Sequence, residues 1–143
     1  MVLPDTSAWV ELRRGTGSPV HLALGTLLRS DREVAVTEPV LMEMLAGARS
    51  RSDLIETRRL LLGLPMLLVG GLDTYERAAD IARTCRLHGE AIRRGFDCLV
   101  AAVAIREGVT VLHADRDFDA IARHTALRVE PIRRSRRPRH QEP

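Results

Sequence analysis

Residues 95–117 read GFDCLVAAVAIREGVTVLHADRD. Apolar side chains at helical spacing predict a helix with one apolar face, and they are Phe96, Leu99, Val100, Val103 and Ala104. Gly108 ends this helix, and residues 109–112 follow at once as a short strand because they contain two valines and a threonine. An apolar helix that leads directly into a short apolar strand is typical of a parallel sheet covered by helices.

The rest of the chain repeats this alternation. Further β-like runs occupy residues 1–5, 33–36, 65–69 and 127–129. Helices are predicted over residues 8–14, 20–29, 52–62 and 73–87, from Pro39 onward and from Phe118 onward. The fold class is therefore α/β with a parallel sheet, and functional residues are expected just beyond the carboxyl ends of the strands.

Length and composition indicate one globular domain. The chain has 143 residues, of which 45% are apolar and 29% charged. Its longest apolar stretch, residues 60–72, is too short and too interrupted by glycine and proline for a membrane span. The first residues lack the basic region of a signal peptide. Two cysteines cannot form a disulfide framework or a four-ligand zinc site, so we expect a reduced, cytoplasmic setting.

All 22 basic side chains are arginines, and the chain contains no lysine. This excludes a Walker-type phosphate loop, Schiff-base chemistry and protein-kinase chemistry, each of which uses a lysine. The arginines are unevenly placed: residues 1–130 hold 17 against 18 acids, whereas residues 131–143 hold five against one. We therefore predict a folded domain over residues 1–130 and a flexible, Arg-rich tail over 131–143.

Five acidic residues stand at positions where a site is expected: Asp5, Glu43, Asp97, Asp115 and Asp117. Taken singly, each has a structural explanation, because aspartates cap helices and acidic residues favour helix N-termini. Glu38 competes with Glu43, although it fits the first turn of a helix better. Taken together, the acids would repel one another at one sheet edge unless a divalent cation such as Mg²⁺ or Mn²⁺ neutralised them. A cation held by carboxylates suits phosphodiester hydrolysis.

Four motifs in this order resemble the PIN-domain ribonucleases, and more narrowly the VapC-type toxins of bacterial toxin–antitoxin pairs. The motifs are Asp5-Thr6-Ser7-Ala8-Trp9, Glu43-Met44-Leu45-Ala46-Gly47-Ala48, Phe96-Asp97-Cys98-Leu99-Val100-Ala101-Ala102 and Leu112-His113-Ala114-Asp115-Arg116-Asp117-Phe118. The resemblance covers residues 1 to about 130. His113 and Ala114 depart from it, because the family often has Thr or Ser, then Asn or Arg, at these positions.

The resemblance implies a parallel five-stranded sheet sandwiched between helices. It also implies a metal-dependent endoribonuclease in which Asp5, Glu43, Asp97 and Asp115 bind Mg²⁺ or Mn²⁺ and a metal-activated water attacks RNA. Asp117 matches an additional acid that is present in many members, and it is expected to join the metal site. The hydroxyl of Thr6 or Ser7 is expected near the metal or phosphate. A cognate antitoxin, and assembly as a homodimer or toxin–antitoxin hetero-oligomer, follow from the same resemblance.

Two other functions remain open from the residues. A PIN-like protein could bind RNA or a protein partner without cleavage, although the complete acidic set argues against it. A phosphohydrolase of the haloacid-dehalogenase type also has an aspartate after its first strand, but it needs a second aspartate where this chain has Ser7, and a lysine.

Several other side chains have two interpretations. His113 is expected to be structural rather than catalytic. Trp9 and Phe96 could stack on a base but fit the core better. The four arginines of residues 49–59 fit a solvated helix face and an RNA-binding track equally well.

Overall fold

The computed structural model describes residues 1–132. Within these residues, two strands, β1 (Val2–Pro4) and β2 (Thr110–Leu112), lie among seven helices. In chain order the helices are α1 (Thr6–Arg14), α2 (Pro19–Leu28), α3 (Glu38–Ala46), α4 (Arg51–Leu62), α5 (Leu72–Leu87), α6 (Gly95–Glu107) and α7 (Arg116–His124). Each helix predicted from the sequence is present, with ends that differ by a few residues.

The sheet is parallel, as predicted. Strands β1 and β2 pair from Val2 opposite Thr110 to Pro4 opposite Leu112. Single parallel bridges extend the layer on both sides, and they join Val2 to Val34, Val36 to Met66 and Val111 to Val129. The resulting order of five parallel segments is the segment of Met66, that of residues 34–36, β1, β2 and the segment of Val129.

The three outer segments are much shorter than the strands expected for residues 33–36, 65–69 and 127–129. Each contributes isolated bridges rather than a continuous ladder. On one side the chain has no room to extend, because Thr37 already serves as the N-cap of α3 one residue after Val36. The five-stranded arrangement therefore holds in outline, with a central pair of strands and three minimal neighbours.

Helix α6 lies at the centre of the fold. Eight consecutive residues, from Asp97 to Ala104, are buried, so this helix is enclosed on all sides. It packs against α5, α7, α3 and β2. Gly108, with a φ of 66°, ends α6 in the left-handed conformation and lets the chain turn into β2. The most buried part of the protein thus carries Asp97 to the sheet edge.

Two expectations about aromatic side chains have different outcomes. Trp9 is a core residue with 2% of its surface exposed, as expected. Phe96 is 43% exposed, so its placement in the core was wrong. The physical reason is position: Phe96 lies in the first turn of α6, ahead of the enclosed segment. Cys85 and Cys98 are buried free thiols.

The described chain ends beside the core. Ile132 packs against it, although residues 131–132 were assigned to the tail. Residues 133–143, with all five tail arginines, lie outside the described residues, so the flexible tail stays a prediction. Within residues 1–132, no helix combines the length and apolar character needed to cross a membrane.

Candidate active site

Asp5 lies at the carboxyl end of β1. Its backbone N–H donates to the Leu112 carbonyl at 2.8 Å, which ties this turn to the end of β2. Its carboxylate caps α1 by accepting hydrogen bonds from the Ser7 backbone N–H at 3.1 Å and the Ser7 hydroxyl at 2.9 Å. The Ser7 hydroxyl also accepts from the Ala114 backbone N–H at 2.9 Å. Ser7 therefore links the turns that follow the two central strands.

Asp115 and Asp117 follow β2 at the same edge. Asp115 is the N-cap of α7, and its carboxylate accepts from the Asp117 backbone N–H at 3.0 Å. Both Asp5 and Asp115 are thus true helix caps, as their structural explanation proposed. Capping uses one oxygen of each carboxylate and does not prevent the other from binding a ligand.

Asp97 completes a compact acidic group. It is the third residue of α6, and one carboxylate oxygen from each of Asp97, Asp115 and Asp117 lies within 4.8 Å of the other two. Asp97 is 4% exposed, and its Oδ2 is buried without a hydrogen-bond partner in the part of the chain that the structure describes. A buried carboxylate oxygen without a partner is costly, so this atom is a candidate ligand for a bound cation.

The electrostatics of the group match this geometry. Burial is the main cause that raises the pKa of Asp97, and the negative charges of Asp5 and Asp115 add to it, bringing the value to about 7. Arg94 opposes this rise. Burial also raises the pKa of Asp5, against hydrogen bonds from Ser7 that lower it. The acids therefore carry an electrostatic penalty that a bound cation would remove.

Glu43 lies near the site but outside the group of three carboxylates. Its Oε1 accepts a hydrogen bond from the Thr6 hydroxyl at 3.0 Å, and its Oε2 is 4.0 Å from Arg94 Nη1. Thr6 directly follows Asp5, so Glu43 connects to the site through the start of α1. Glu38 has a structural role instead, because its carboxylate accepts from the Val69 backbone N–H at 2.8 Å.

Two arginines that the sequence analysis did not single out border the acids. Arg93 Nε lies 3.5 Å from Asp117 Oδ2, and its Nη2 lies 3.9 Å from Asp115 Oδ1. Arg94 faces Glu43, and the side chains of both arginines are about two-thirds exposed. In the sequence, the position of these two arginines just before the Gly95-Phe96-Asp97 motif was the feature that could have indicated them as site residues. Phe96, which is exposed, lies next to Asp97 in sequence.

His113 fits its expected structural role. Its Nδ1 accepts from the Asp115 backbone N–H at 3.2 Å, and its Nε2 lies 3.1 Å from Asp119 Oδ1. Its ring also packs against Phe118 with centroids 5.4 Å apart. The hydrogen bond from the Asp115 N–H and the packing against Phe118 hold the turn that presents Asp115.

The donor set fits a hard divalent cation. Carboxylate oxygens of Asp97, Asp115 and Asp117 lie close together, and Asp97 Oδ2 has no hydrogen-bond partner within the described range 1–132. A thiolate is not available there, because burial raises the pKa of neighbouring Cys98 to about 12. The site can therefore hold a metal through oxygen ligands and meet an anionic substrate with Arg93 and Arg94.

Comparison with known proteins agrees with this geometry. The family model described as PIN domain matches residues 2–124. Ribonuclease VapC11 of Mycobacterium tuberculosis is 43% identical over 134 residues, which cover 93% of this chain and all of that protein. Ribonuclease VapC18 of the same organism is 30% identical over 132 residues, or 90% of this chain and 92% of that protein.

Solved structures share the fold. VapBC2 from Rickettsia felis, bound to a promoter DNA fragment, gives a TM-score of 0.70 at 18% identity and covers 91% of this chain and 98% of that chain. VapC20 of Mycobacterium tuberculosis, a toxin that cleaves the sarcin-ricin loop, gives 0.66 at 23% identity and covers 90% and 99%. The chain therefore belongs to the PIN-domain family and, within it, to the VapC ribonucleases.

Proposed function

We propose that this protein is a metal-dependent endoribonuclease that acts as the toxin of a type II toxin–antitoxin pair. The observation that carries the proposal is the buried Oδ2 of Asp97, which belongs to a group of three carboxylates and has no hydrogen-bond partner among residues 1–132. The similarity to ribonuclease VapC11 over the whole length of that protein supports RNA as the substrate.

We assign metal binding to Asp5, Glu43, Asp97, Asp115 and Asp117, and catalysis to the first four. The metal is Mg²⁺ or Mn²⁺, since both prefer carboxylate and water oxygens. Such a cation supplies an activated water and stabilises the negative charge that develops on the scissile phosphate. Ser7 orients Asp5 through its hydroxyl, and Thr6 orients Glu43 in the same way.

Three charged side chains determine the electrostatics of the proposed site. Near neutral pH, Asp97 holds a proton on part of the metal-free molecules, because the pKa of its carboxyl is raised to about 7. Arg93 and Arg94 offset some of the negative charge of the acids and offer guanidinium groups to the phosphates on either side of the cleaved bond.

The proposed partner is a cognate antitoxin in a toxin–antitoxin hetero-oligomer. Solved structures that share this fold include toxin–antitoxin complexes, among them one from Klebsiella pneumoniae. This chain also exposes large apolar side chains along α4, namely Leu54, Ile55, Leu60 and Leu62. Exposed apolar side chains grouped on one element are typical of a protein interface. A cytoplasmic location fits a protein whose substrate is cellular RNA.

A cleavage assay tests the enzymatic part. Purified protein is incubated with end-labelled RNA in EDTA, Mg²⁺ or Mn²⁺, and the new ends are analysed. We expect cuts only with metal, and products without a 2′,3′-cyclic phosphate, because water rather than the RNA 2′-hydroxyl attacks phosphorus. Intact RNA under every condition, together with tight RNA binding, would support the alternative of a PIN-like binding protein without cleavage activity.

Expression tests the role as a toxin. The wild-type chain should arrest growth, whereas co-expression of a small protein encoded beside it, or the Asp97→Asn change, should restore growth. Harmless expression of a wild-type protein that cleaves RNA in vitro would contradict the toxin role.

A further inference from the structure

Three arginines form a separate basic pocket at the C-terminal end of α1. Arg13, Arg14 and Arg49 line a cavity of about 430 Å³ together with Asp53. We call this the arginine pocket. No ion pair joins these three guanidinium groups to a residue in the range 1–132. Since residues 1–130 as a whole hold 17 arginines against 18 acids, the pocket is a local concentration of positive charge in a domain with almost no net charge.

Arg13 is the most informative member because its Nη1 is buried without a hydrogen-bond partner in the described chain. A buried guanidinium N–H without an acceptor costs free energy, just as the oxygen of Asp97 does. Favourable interaction with the dipole at the end of α1 explains why arginines occur there, but it does not supply an acceptor. Because Arg13 lines the pocket, an anion bound there would meet its guanidinium group.

Asp53 does not provide the missing acceptor. Its Oδ2 accepts from the Arg49 backbone N–H at 2.9 Å, and its Oδ1 accepts from the Thr57 hydroxyl at 3.3 Å. Asp53 thus serves the first turn of α4, where Ser50 is the N-cap. Its single charge leaves the pocket with an excess of positive charge.

Gly47 connects the arginine pocket to the acidic site. A Cβ atom at this position would lie 3.5 Å from Arg13 Nη2 and 3.3 Å from the Glu43 carbonyl oxygen. The missing side chain allows the guanidinium to lie against the end of α3, one turn after Glu43. On α1, Thr6 contacts Glu43, and Arg13 follows about 10 Å further along the helix, given a rise of 1.5 Å per residue. Both helices therefore run from the acidic site to the pocket.

We infer that the arginine pocket binds a backbone phosphate of the RNA substrate at a distance from the scissile bond. This inference rests on the proposed function, since it extends the binding surface of the proposed ribonuclease. A phosphate is favoured because planar guanidinium groups match its oxygens, and because the pocket lies on two helices that also carry site residues. The arginines of residues 49–59 are thereby divided: Arg49 contacts RNA through the pocket, and the others belong to an exposed helix.

The test measures RNA binding by the full chain in EDTA, where the proposed enzyme does not cleave. Fluorescence anisotropy with a labelled single-stranded RNA gives the Kd at several NaCl concentrations for wild type, Arg13→Gln and Arg49→Gln. Both variants should fold, because Arg13 Nη1 makes no hydrogen bond within residues 1–132 and Arg49 is exposed. Arg83→Gln on exposed α5 surface is the matched control.

Each pocket variant should reduce the slope of log K against log salt by about 0.7 and weaken binding about fivefold at 0.1 M salt, which is the loss of one phosphate contact to a single strand. The control should match wild type. Wild-type slopes for both pocket variants would overturn the inference, as would unchanged RNA binding combined with lost binding of the co-expressed antitoxin. RNA cleavage in Mg²⁺ is measured separately. If RNA binding depends on the pocket arginines but the wild type does not cleave RNA, only the proposed function is contradicted. If the wild type cleaves RNA but its binding does not depend on these arginines, only the inference is contradicted.

Discussion

Asp97→Asn should make the metal-free protein more stable at alkaline pH. In the folded chain, burial and neighbouring acids raise the pKa of Asp97 from its usual 3.8 to about 7. The folded state therefore binds more protons than the unfolded state between these values, and stability falls as pH rises through this window. Above pH 7 the full penalty amounts to about 4 kcal/mol, at 1.36 kcal/mol for each tenfold change in the ionisation constant.

The same titration gives a measurable pH dependence. Between pH 5.5 and pH 8, ionisation of Asp97 should lower the free energy of unfolding of the wild-type protein by about 2 kcal/mol. Asparagine cannot ionise, so the variant should lack this part of the decline. Urea unfolding in EDTA at both pH values, followed by circular dichroism, measures the difference. An Asp97→Asn protein that loses as much stability as the wild type between the two pH values would refute the electrostatic reasoning.

Three further changes test other parts of the structure. Asp115→Asn should lower the single-turnover rate of RNA cleavage in Mg²⁺ by about 100-fold or more. This loss exceeds the 10–100-fold effect that is typical of a residue that only orients a metal ligand. Ser7→Ala should weaken metal binding by about 10–100-fold, because Asp5 loses the hydroxyl that orients it. Calorimetric titration with Mn²⁺ measures this affinity, and an unchanged affinity would contradict the role of Ser7. Truncation after Ile132 should keep kcat and raise KM at low salt, because the removed arginines neutralise phosphates; an identical KM at two salt concentrations would contradict a binding role for the tail.

The sequence was sufficient to locate the acids that follow strands. Asp5 comes directly after one apolar run and Asp115 three residues after the end of another, and parallel strands bring their carboxyl ends to one edge. Asp97 was predictable from its place at the start of the most apolar helix. Its unpartnered oxygen was not predictable, because burial of one atom depends on how α6 packs against its neighbours.

Other features depend on tertiary contacts that no local pattern encodes. Arg93 and Arg94 lie in the segment before α6, where neither helical nor strand periodicity applies, so their approach to the acids appears only in the folded chain. Phe96 continues the apolar stripe of α6 in sequence but lies outside the enclosed segment. The outer β segments kept their positions and parallel direction but not their expected lengths, since strand length depends on neighbouring turns.

The most direct test compares RNA cleavage by the wild type, Asp97→Asn and Asp119→Asn in Mg²⁺. Asp119 is a suitable control because it lies two residues beyond Asp117, yet its half-exposed carboxylate faces His113. Asp119→Asn should cleave RNA at a rate close to that of the wild type. Asp97→Asn, with its folding verified by circular dichroism, should cleave RNA about 100-fold more slowly or not at all. A loss of this size is expected when a group that stabilises charge at the reacting phosphate is removed. Cleavage by Asp97→Asn at the wild-type rate would contradict the assignment of the acidic group as the catalytic metal site.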